Sequence, residues 1–202
     1  MIIQRDGLRS DAIGQYLVLS LGKLPESSVD TPKETPALRA VGSAGSSPYS
    51  AENNAQTCYA TNIMVQQYDF NSGSWADVEA LERNKNCSDT LYVVVGTLFE
   101  DSKTITRFDR TIGVPTHCYK LLLRTKSGST RKAISEITSA DELICIGFLF
   151  ENDESSKDVD ISTVATSVAE IEKRAGFKFF RNLNPAIADQ VKSQNHPSDW
   201  GI

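Results

Sequence analysis

The pattern of apolar and polar positions predicts strands and helices that follow one another without regular alternation. Six segments are rich in apolar, aromatic or β-branched residues and are typical of strands: 16–21, 57–65, 91–95, 104–107, 116–124 and 143–150. A helix is predicted over residues 75–84, with Ser74 as its N-cap. Because no β–α–β repeat is visible, the class is α+β, with a mixed or antiparallel central sheet flanked by helices.

A second helix is predicted after Ser167, which forms a capping box with Glu170. Gly176 stands where the C′ residue of that helix would be, and the positions between form one apolar stripe. The start, the buried face and the end of this helix are therefore all visible in the sequence.

Composition shifts divide the chain into three parts. Residues 1–50 comprise a degenerate N-terminal strand and, from residue 23, a loop or disordered connector rich in Pro, Ser and Gly. Residues 51–185 carry most of the predicted strands and helices and form the folded domain. Residues 186–202 are a polar C-terminal tail, and we expect residues 185–202 to be frayed.

The composition is that of an ordinary globular protein, since 40% of the 202 residues are hydrophobic and 23% are charged. We expect no membrane partner, because no apolar stretch approaches 18 residues. No signal peptide is visible at the N-terminus. None of the four cysteines forms a C-x-x-C pair, which argues against zinc and thioredoxin-type sites but does not reveal the compartment.

Charge is unevenly distributed. The formal net charge of −5 excludes a uniformly basic nucleic-acid binder. Residues 101–135, however, hold eight basic side chains against two acidic ones, whereas residues 151–172 hold seven acidic side chains against one lysine. The basic segment is either a surface that attracts a polyanion or a set of solvated loops.

Four residues spaced four apart offer candidate chemistry: Asn71, Trp75, Glu79 and Arg83. On one helix, successive members would drift by only about 40°, so they would line one face. An amide oxygen at the helix entrance suits a cation, a carboxylate can orient a metal-bound water, and a guanidinium can neutralise phosphate. The alternative is structural: Asn71 is a turn residue, Trp75 a core anchor, and Glu79 with Arg83 an ordinary i,i+4 pair.

The same stretch resembles the DNA/RNA non-specific endonuclease family, whose active site has the ββα-metal (His-Me finger) fold. Thr61-Asn62, Gln66 and the four residues just named stand at the offsets of the family signature. Similarity continues through the segments at 89–96, 114–120, 146–149 and 168–180, in the family's order, and covers about residues 50–185.

The resemblance implies a function and a set of site residues. It implies hydrolysis of phosphodiester bonds in DNA and RNA with Mg²⁺ or another divalent cation, and family members are often secreted or periplasmic. Asn71 matches the metal ligand, Glu79 the carboxylate that positions metal-bound waters, Arg83 the arginine near the scissile phosphate, and Asn62 an asparagine supporting the site. Three arginines are expected to contact the nucleic-acid backbone: Arg39, Arg107 and Arg110.

The match breaks at the family's Asp-Arg-Gly-His motif. Residues 38–41 read Leu-Arg-Ala-Val, so Arg39 matches but the general-base histidine is absent. The only histidines are His117, expected to be structural, and His196, expected to have no role. We therefore expect an impaired nuclease, or alternatively a catalytically inactive module that binds nucleic acid or protein. Whether the chain is an enzyme stays open here, as does its oligomeric state, with a homodimer as one option.

Overall fold

The computed structural model describes residues 16–19, 38–40, 65–107 and 110–202. These residues form nine strands: β1 (Tyr16–Leu19), β2 (Leu38–Ala40), β3 (Val65–Gln67), β4 (Leu91–Leu98), β5 (Thr104–Arg107), β6 (Arg110–Gly113), β7 (His117–Thr125), β8 (Leu143–Glu151) and β9 (Ala165–Thr166). They also form five α-helices: α1 (Tyr68–Ser72), α2 (Ser74–Asn84), α3 (Val168–Ala175), α4 (Ala188–Lys192) and α5 (Pro197–Trp200). Short 3₁₀ helices occupy Ile134–Glu136, Ala140–Glu142 and Glu154–Ser156.

The central sheet has the strand order β1-β4-β7-β8-β9. Strands β4, β7, β8 and β9 pair antiparallel, while β1 pairs parallel with β4. Two further antiparallel pairs, β2–β3 and β5–β6, stand apart from this sheet. The α+β class with a mixed central sheet is confirmed.

Two apolar layers cover the two faces of the sheet. Because side chains alternate along a strand, β7 sends Leu121 and Leu123 to one layer and Cys118 and Leu122 to the other. The first layer packs α3 and α4 against the sheet, and the second packs α1 and α2. The candidate site residues on α1 and α2 therefore stand on one face only.

Local capping explains the position of α3. The Ser167 hydroxyl accepts a hydrogen bond from the Glu170 N–H at 3.2 Å, and Gly176 follows the helix with φ 70°. A positive φ of this size favours glycine. The predicted start and end of this helix are confirmed.

A buried carboxylate fixes the loop after β7. Asp89 accepts hydrogen bonds from the Thr125 hydroxyl, from the backbone N–H and hydroxyl of Thr130, and from the Arg131 N–H. Burial would raise the pKa of the Asp89 carboxyl, but these donors outweigh it and hold the pKa below its usual range. The ionised form of Asp89 thus ties the start of β4 to the 125–131 loop.

The expectation that residues 185–202 are frayed is wrong. Val191 is fully buried in the α4 layer, Ile187 lies four residues before it, and Trp200 is 1% exposed in the α2 layer. Three apolar side chains placed at the right positions are enough to hold an otherwise polar segment against the core. The domain boundary at residue 186 stays a prediction.

Several expectations concern residues outside the described ranges. Of the strand predicted at 57–65, only Val65 is described, as the first residue of β3. Of the predicted loop at 23–50, only β2 is described. None of the helices in the described part of the chain combines the length and the apolar character needed to cross a membrane.

Candidate active site

Strand β3 leads directly into α1, and a glycine then separates α1 from α2. Gln67 caps α1, since its side-chain oxygen accepts a hydrogen bond from the Phe70 N–H at 2.8 Å. Gly73 interrupts the helical path with φ −99° and ψ −120°, and its N–H bonds back to the Asp69 carbonyl at 2.9 Å. Asn71 therefore lies in the last turn of α1.

This arrangement corrects two local expectations. Asn71 does not share a helix with Trp75, Glu79 and Arg83, because Gly73 breaks the four-residue ladder. Ser74 is not the N-cap but the first residue of α2, and its hydroxyl donates to the Ser156 carbonyl instead.

The α1–α2 junction is fastened to the turn at 154–157. The Ser74 N–H donates to the Lys157 carbonyl at 2.8 Å. A Cβ atom at Gly73 would collide with that same carbonyl, so only glycine allows the two backbones to approach this closely. Phe70, Trp75 and Phe150 complete the support, with ring centroids 5.2–6.1 Å apart.

The Asn71 side chain is the candidate cation ligand. It is half-buried, and within residues 65–107 and 110–202 no group is hydrogen-bonded to it. The described residues contain no cluster of three or more His, Cys, Asp or Glu side chains that could enclose a metal ion. An amide oxygen suits a cation that keeps most of its waters, as Mg²⁺ does, and not a fully protein-enclosed zinc or calcium ion.

Glu79 is half-buried in the second turn of α2. Burial raises the pKa of its carboxyl, and the neighbouring Glu82 raises it further. Lys120 and Arg83 oppose this by favouring the charged form. The Trp75 indole N–H also favours the charged form, although it is buried and no described residue accepts a regular hydrogen bond from it.

A buried lysine lies beneath α2. Lys120, in the middle of β7, is fully buried, and its Nζ lies 2.8 Å from Glu82 Oε2 and 5.0 Å from the Trp75 ring centroid. Sequence reasoning did not single out this residue. The available signal was a lone charge within the apolar run of β7, at a position that alternation places on the α2 face.

Strand β3 carries a second residue that sequence reasoning left without a role. Gln66 is fully buried, and neither atom of its amide has a hydrogen-bond partner among the described residues. Where β3 pairs with β2, Gln66 lies opposite Arg39 in the strand register. Asn152 holds this strand in place: its Oδ1 accepts from the Gln67 N–H at 2.8 Å, and its Nδ2 donates to the Val65 carbonyl at 3.1 Å.

The other predicted site residues occupy three different places in the chain's fold. Arg83 is exposed on the last turn of α2. Arg107 and Arg110 pair across the separate β5–β6 hairpin, and Asn62 lies outside the described residues.

Both histidines have described positions. His117 lies between two carboxylates, with Nδ1 3.1 Å from Glu100 Oε2 and Nε2 3.0 Å from Glu151 Oε1. Arg174 hydrogen-bonds to Glu100, which holds the pKa of that carboxyl below its usual range. His196 precedes α5 and makes no side-chain cap bond to it. The partners of His117 are consistent with its expected structural role.

Comparison with known proteins gives concordant matches. Human mitochondrial nuclease EXOG is 27% identical over 151 residues, covering 70% of this chain and 39% of the relative. The Xenopus laevis EXOG is 29% identical over 153 residues, with the same coverage. The Serratia marcescens nuclease is 26% identical over 140 residues, covering 67% of this chain and 48% of that enzyme. The chain thus spans less than half the length of these relatives.

A solved structure supports the fold. A chain from the EndoG/EndoGI inhibition complex is 25% identical and superposes with a TM-score of 0.50, covering 70% of this chain and 57% of that one. This confirms the expected nuclease-like α+β fold. The family model of the DNA/RNA non-specific endonucleases matches residues 42–186. Because that match spans well over half of the chain, the protein belongs to the DNA/RNA non-specific endonuclease family.

Proposed function

We propose that the chain hydrolyses phosphodiester bonds of DNA and RNA in a divalent-cation-dependent reaction that is slow for its family. The observation that carries the proposal is that consecutive helices present an Asn71 amide with no hydrogen-bond partner among the described residues and a half-buried Glu79 flanked by charges. Perturbed acids in such settings are candidates for functional sites.

The residues have separate roles in this proposal. Asn71 offers an amide oxygen to Mg²⁺ or a similar cation, and Glu79 orients its bound waters. Such a cation supplies stabilisation of charge on the reacting phosphate. Arg83 is exposed, as a residue that neutralises phosphate must be. Asn62, Arg39, Arg107 and Arg110 are proposed to support the site or contact the backbone of the nucleic acid.

The reaction is proposed to be slow because a general base is lacking. Position 41, where the family carries its histidine, holds Val41. His117 is already engaged by Glu100 and Glu151. A positioned general base contributes about 10²–10⁴-fold to rate. We therefore expect turnover lower than that of histidine-containing family members by about that factor.

Plasmid nicking and RNA cleavage test this proposal. Activity should require Mg²⁺ and disappear in Asn71→Ala, while Asn86→Ala, an exposed asparagine just after α2, should retain it. Mg²⁺ should also raise the thermal midpoint of the parent chain but not of Asn71→Ala. Cleavage that survives Asn71→Ala, or that proceeds in excess chelator, would refute the site assignment.

The missing histidine also favours a second candidate, a nuclease-derived module that binds nucleic acid without cleaving it. Binding would then fall steeply with salt, since contacts to phosphates release counterions. The two candidates differ in one result. The second predicts salt-dependent binding with no cleavage even on prolonged incubation with Mg²⁺.

A further inference from the structure

One buried ion pair joins β7 to α2, the helix that carries Glu79, while a second pair lies on the opposite side of the sheet. Lys120 Nζ contacts Glu82 at 2.8 Å, and its side chain is fully buried. On the other face, Lys192 Nζ contacts Glu172 at 2.7 Å, with both side chains nearly buried. Burying two charges costs several kcal/mol per ion, so such pairs are weak devices for stability alone.

The Glu172 pair has an evident structural purpose. Glu172 on α3 also accepts hydrogen bonds from the Phe179 N–H at 2.7 Å and from Lys178 at 3.0 Å. It thereby joins α3, the segment after it and α4. The Lys120 pair has no such set of partners in the described structure: Lys120 makes one hydrogen bond, to Glu82, and lies over the Trp75 ring at 5.0 Å.

Glu79 is the group that the Lys120 charge acts on beyond its own pair. Trp75 precedes Glu79 by one helical turn and Glu82 follows it by three residues, so the two groups that hold Lys120 flank Glu79 along α2. The charged groups acting on Glu79 are Lys120 from β7, and Glu82 and Arg83 from α2. Of these, Lys120 has the largest effect, whereas Arg83 stands in solvent where its charge is screened.

We infer that Lys120 is a positioning residue: held by Glu82 and the Trp75 ring, its buried ammonium keeps the half-buried Glu79 an anion. Without that charge, desolvation favours the protonated form of Glu79, in which one carboxyl oxygen becomes a donor and no longer accepts well from cation-bound waters. The role of Lys120 toward the cation rests on the proposed function. The proposed effect on Glu79 does not, because it involves no cation.

The test is a carbon-detected NMR titration of the Glu79 carboxyl in the metal-free chain, assigned with Glu79→Gln. Lys120→Met, nearly isosteric, should move the Glu79 midpoint to higher pH. Glu82→Gln should move it to lower pH, because it removes a like charge and leaves Glu79 as the remaining acid near the ammonium. The matched control is Lys192→Met, which breaks the pair on the other face and should leave the Glu79 midpoint unchanged.

A merely structural role would give a different result. If Lys120→Met and Lys192→Met lower stability alike and neither moves the Glu79 midpoint, the inference is wrong. It is also wrong if Lys120→Met and Glu82→Gln move the midpoint in the same direction. Should Lys120→Met fail to fold, as circular dichroism would show, Lys120→Gln takes its place: it should also move the Glu79 midpoint to higher pH, and an unchanged midpoint would overturn the inference.

Calorimetric titration with Mg²⁺ distinguishes a failure of the proposed function from a failure of the coupling between Lys120 and Glu79. In Lys120→Met at pH 7, affinity should fall about ten- to a hundredfold, as is typical when support of a metal site is lost. It should recover as pH rises through the new Glu79 midpoint. If the parent chain binds no Mg²⁺ but Glu79 responds as expected, the proposed function fails while the coupling to Lys120 stands.

Discussion

Replacing Asn152 with alanine should loosen β3 and with it the α1–α2 junction. Asn152 follows β8 and is only 3% exposed. Its side chain accepts one hydrogen bond from the Gln67 N–H and donates two, to the Val65 carbonyl at 3.1 Å and to the Pro115 carbonyl at 2.9 Å. Alanine removes all three hydrogen bonds at once, so the Gln67 N–H and the Val65 and Pro115 carbonyls lose their partner.

The structure sets the size of the effect. A net contribution of about 1 kcal/mol for each hydrogen bond gives a loss of about 3 kcal/mol in the free energy of unfolding. Water entering the vacated space would reduce the loss, so about 2 kcal/mol is the lower bound. The backbone bond from the Asn152 N–H to the Thr116 carbonyl, at 2.8 Å, survives the substitution. The central sheet should therefore remain intact while β3 loosens.

Urea denaturation followed by amide hydrogen exchange measures both parts. The Gln67 amide should lose protection in the variant, while amides in the centre of β7 should lose no more than the global change in stability. Asn195→Ala is the matched control, because its exposed amide makes only a 3.4 Å contact with the Ala165 carbonyl. It should cost less than about 0.5 kcal/mol. A cost below about 1 kcal/mol for Asn152→Ala, with Gln67 protection unchanged, would refute the reasoning.

Three further predictions follow from contacts elsewhere. Gly73→Ala drives a methyl group into the backbone carbonyl beneath the α1–α2 junction and should cost about 3 kcal/mol by urea denaturation; a cost under 1 kcal/mol would contradict that packing. Asp89→Asn should cost about 2 kcal/mol at pH 7. Since the pKa of Asp89 is lowered by folding, its stabilisation is complete above about pH 4 and is lost as pH falls through the folded value. The difference between parent and variant should therefore shrink in acid, and a constant difference from pH 7 to pH 3 would exclude this role. Burial raises the pKa of the Cys118 and Cys145 thiols, so iodoacetamide at pH 8 should alkylate Cys87 before either, as peptide mass mapping would show; equal rates in the folded chain would disprove their burial.

The fold was predictable where the signal is local. The strands of the sheet are buried on both faces, so β8 appears in the sequence as a nearly continuous apolar run and β7 as an apolar run interrupted by Lys120. The start of α3 depends on Ser167, and its end on Gly176, within one turn of each boundary. These interactions need no knowledge of the rest of the chain.

The candidate site was harder to predict because its geometry depends on distant partners. The four-residue spacing from Asn71 to Arg83 suggested one helix, but the conformation of Gly73 is set by the Lys157 carbonyl, 84 residues further along the chain. The effect of Lys120 on Glu79 depends on which face of β7 meets α2. Periodicity shows that Lys120 and Leu121 point to opposite faces, but it does not show which face is covered by which helix.

The separation of the two apolar layers by a single sheet has an evolutionary consequence. Substitutions far apart and without shared partners have nearly additive effects on stability, whereas neighbours couple. Sequence drift in the α3–α4 layer should therefore proceed with little epistasis toward the layer under α2, where the candidate site lies. A stabilising substitution in the α3–α4 layer would then offset losses under α2 without altering the chemistry there.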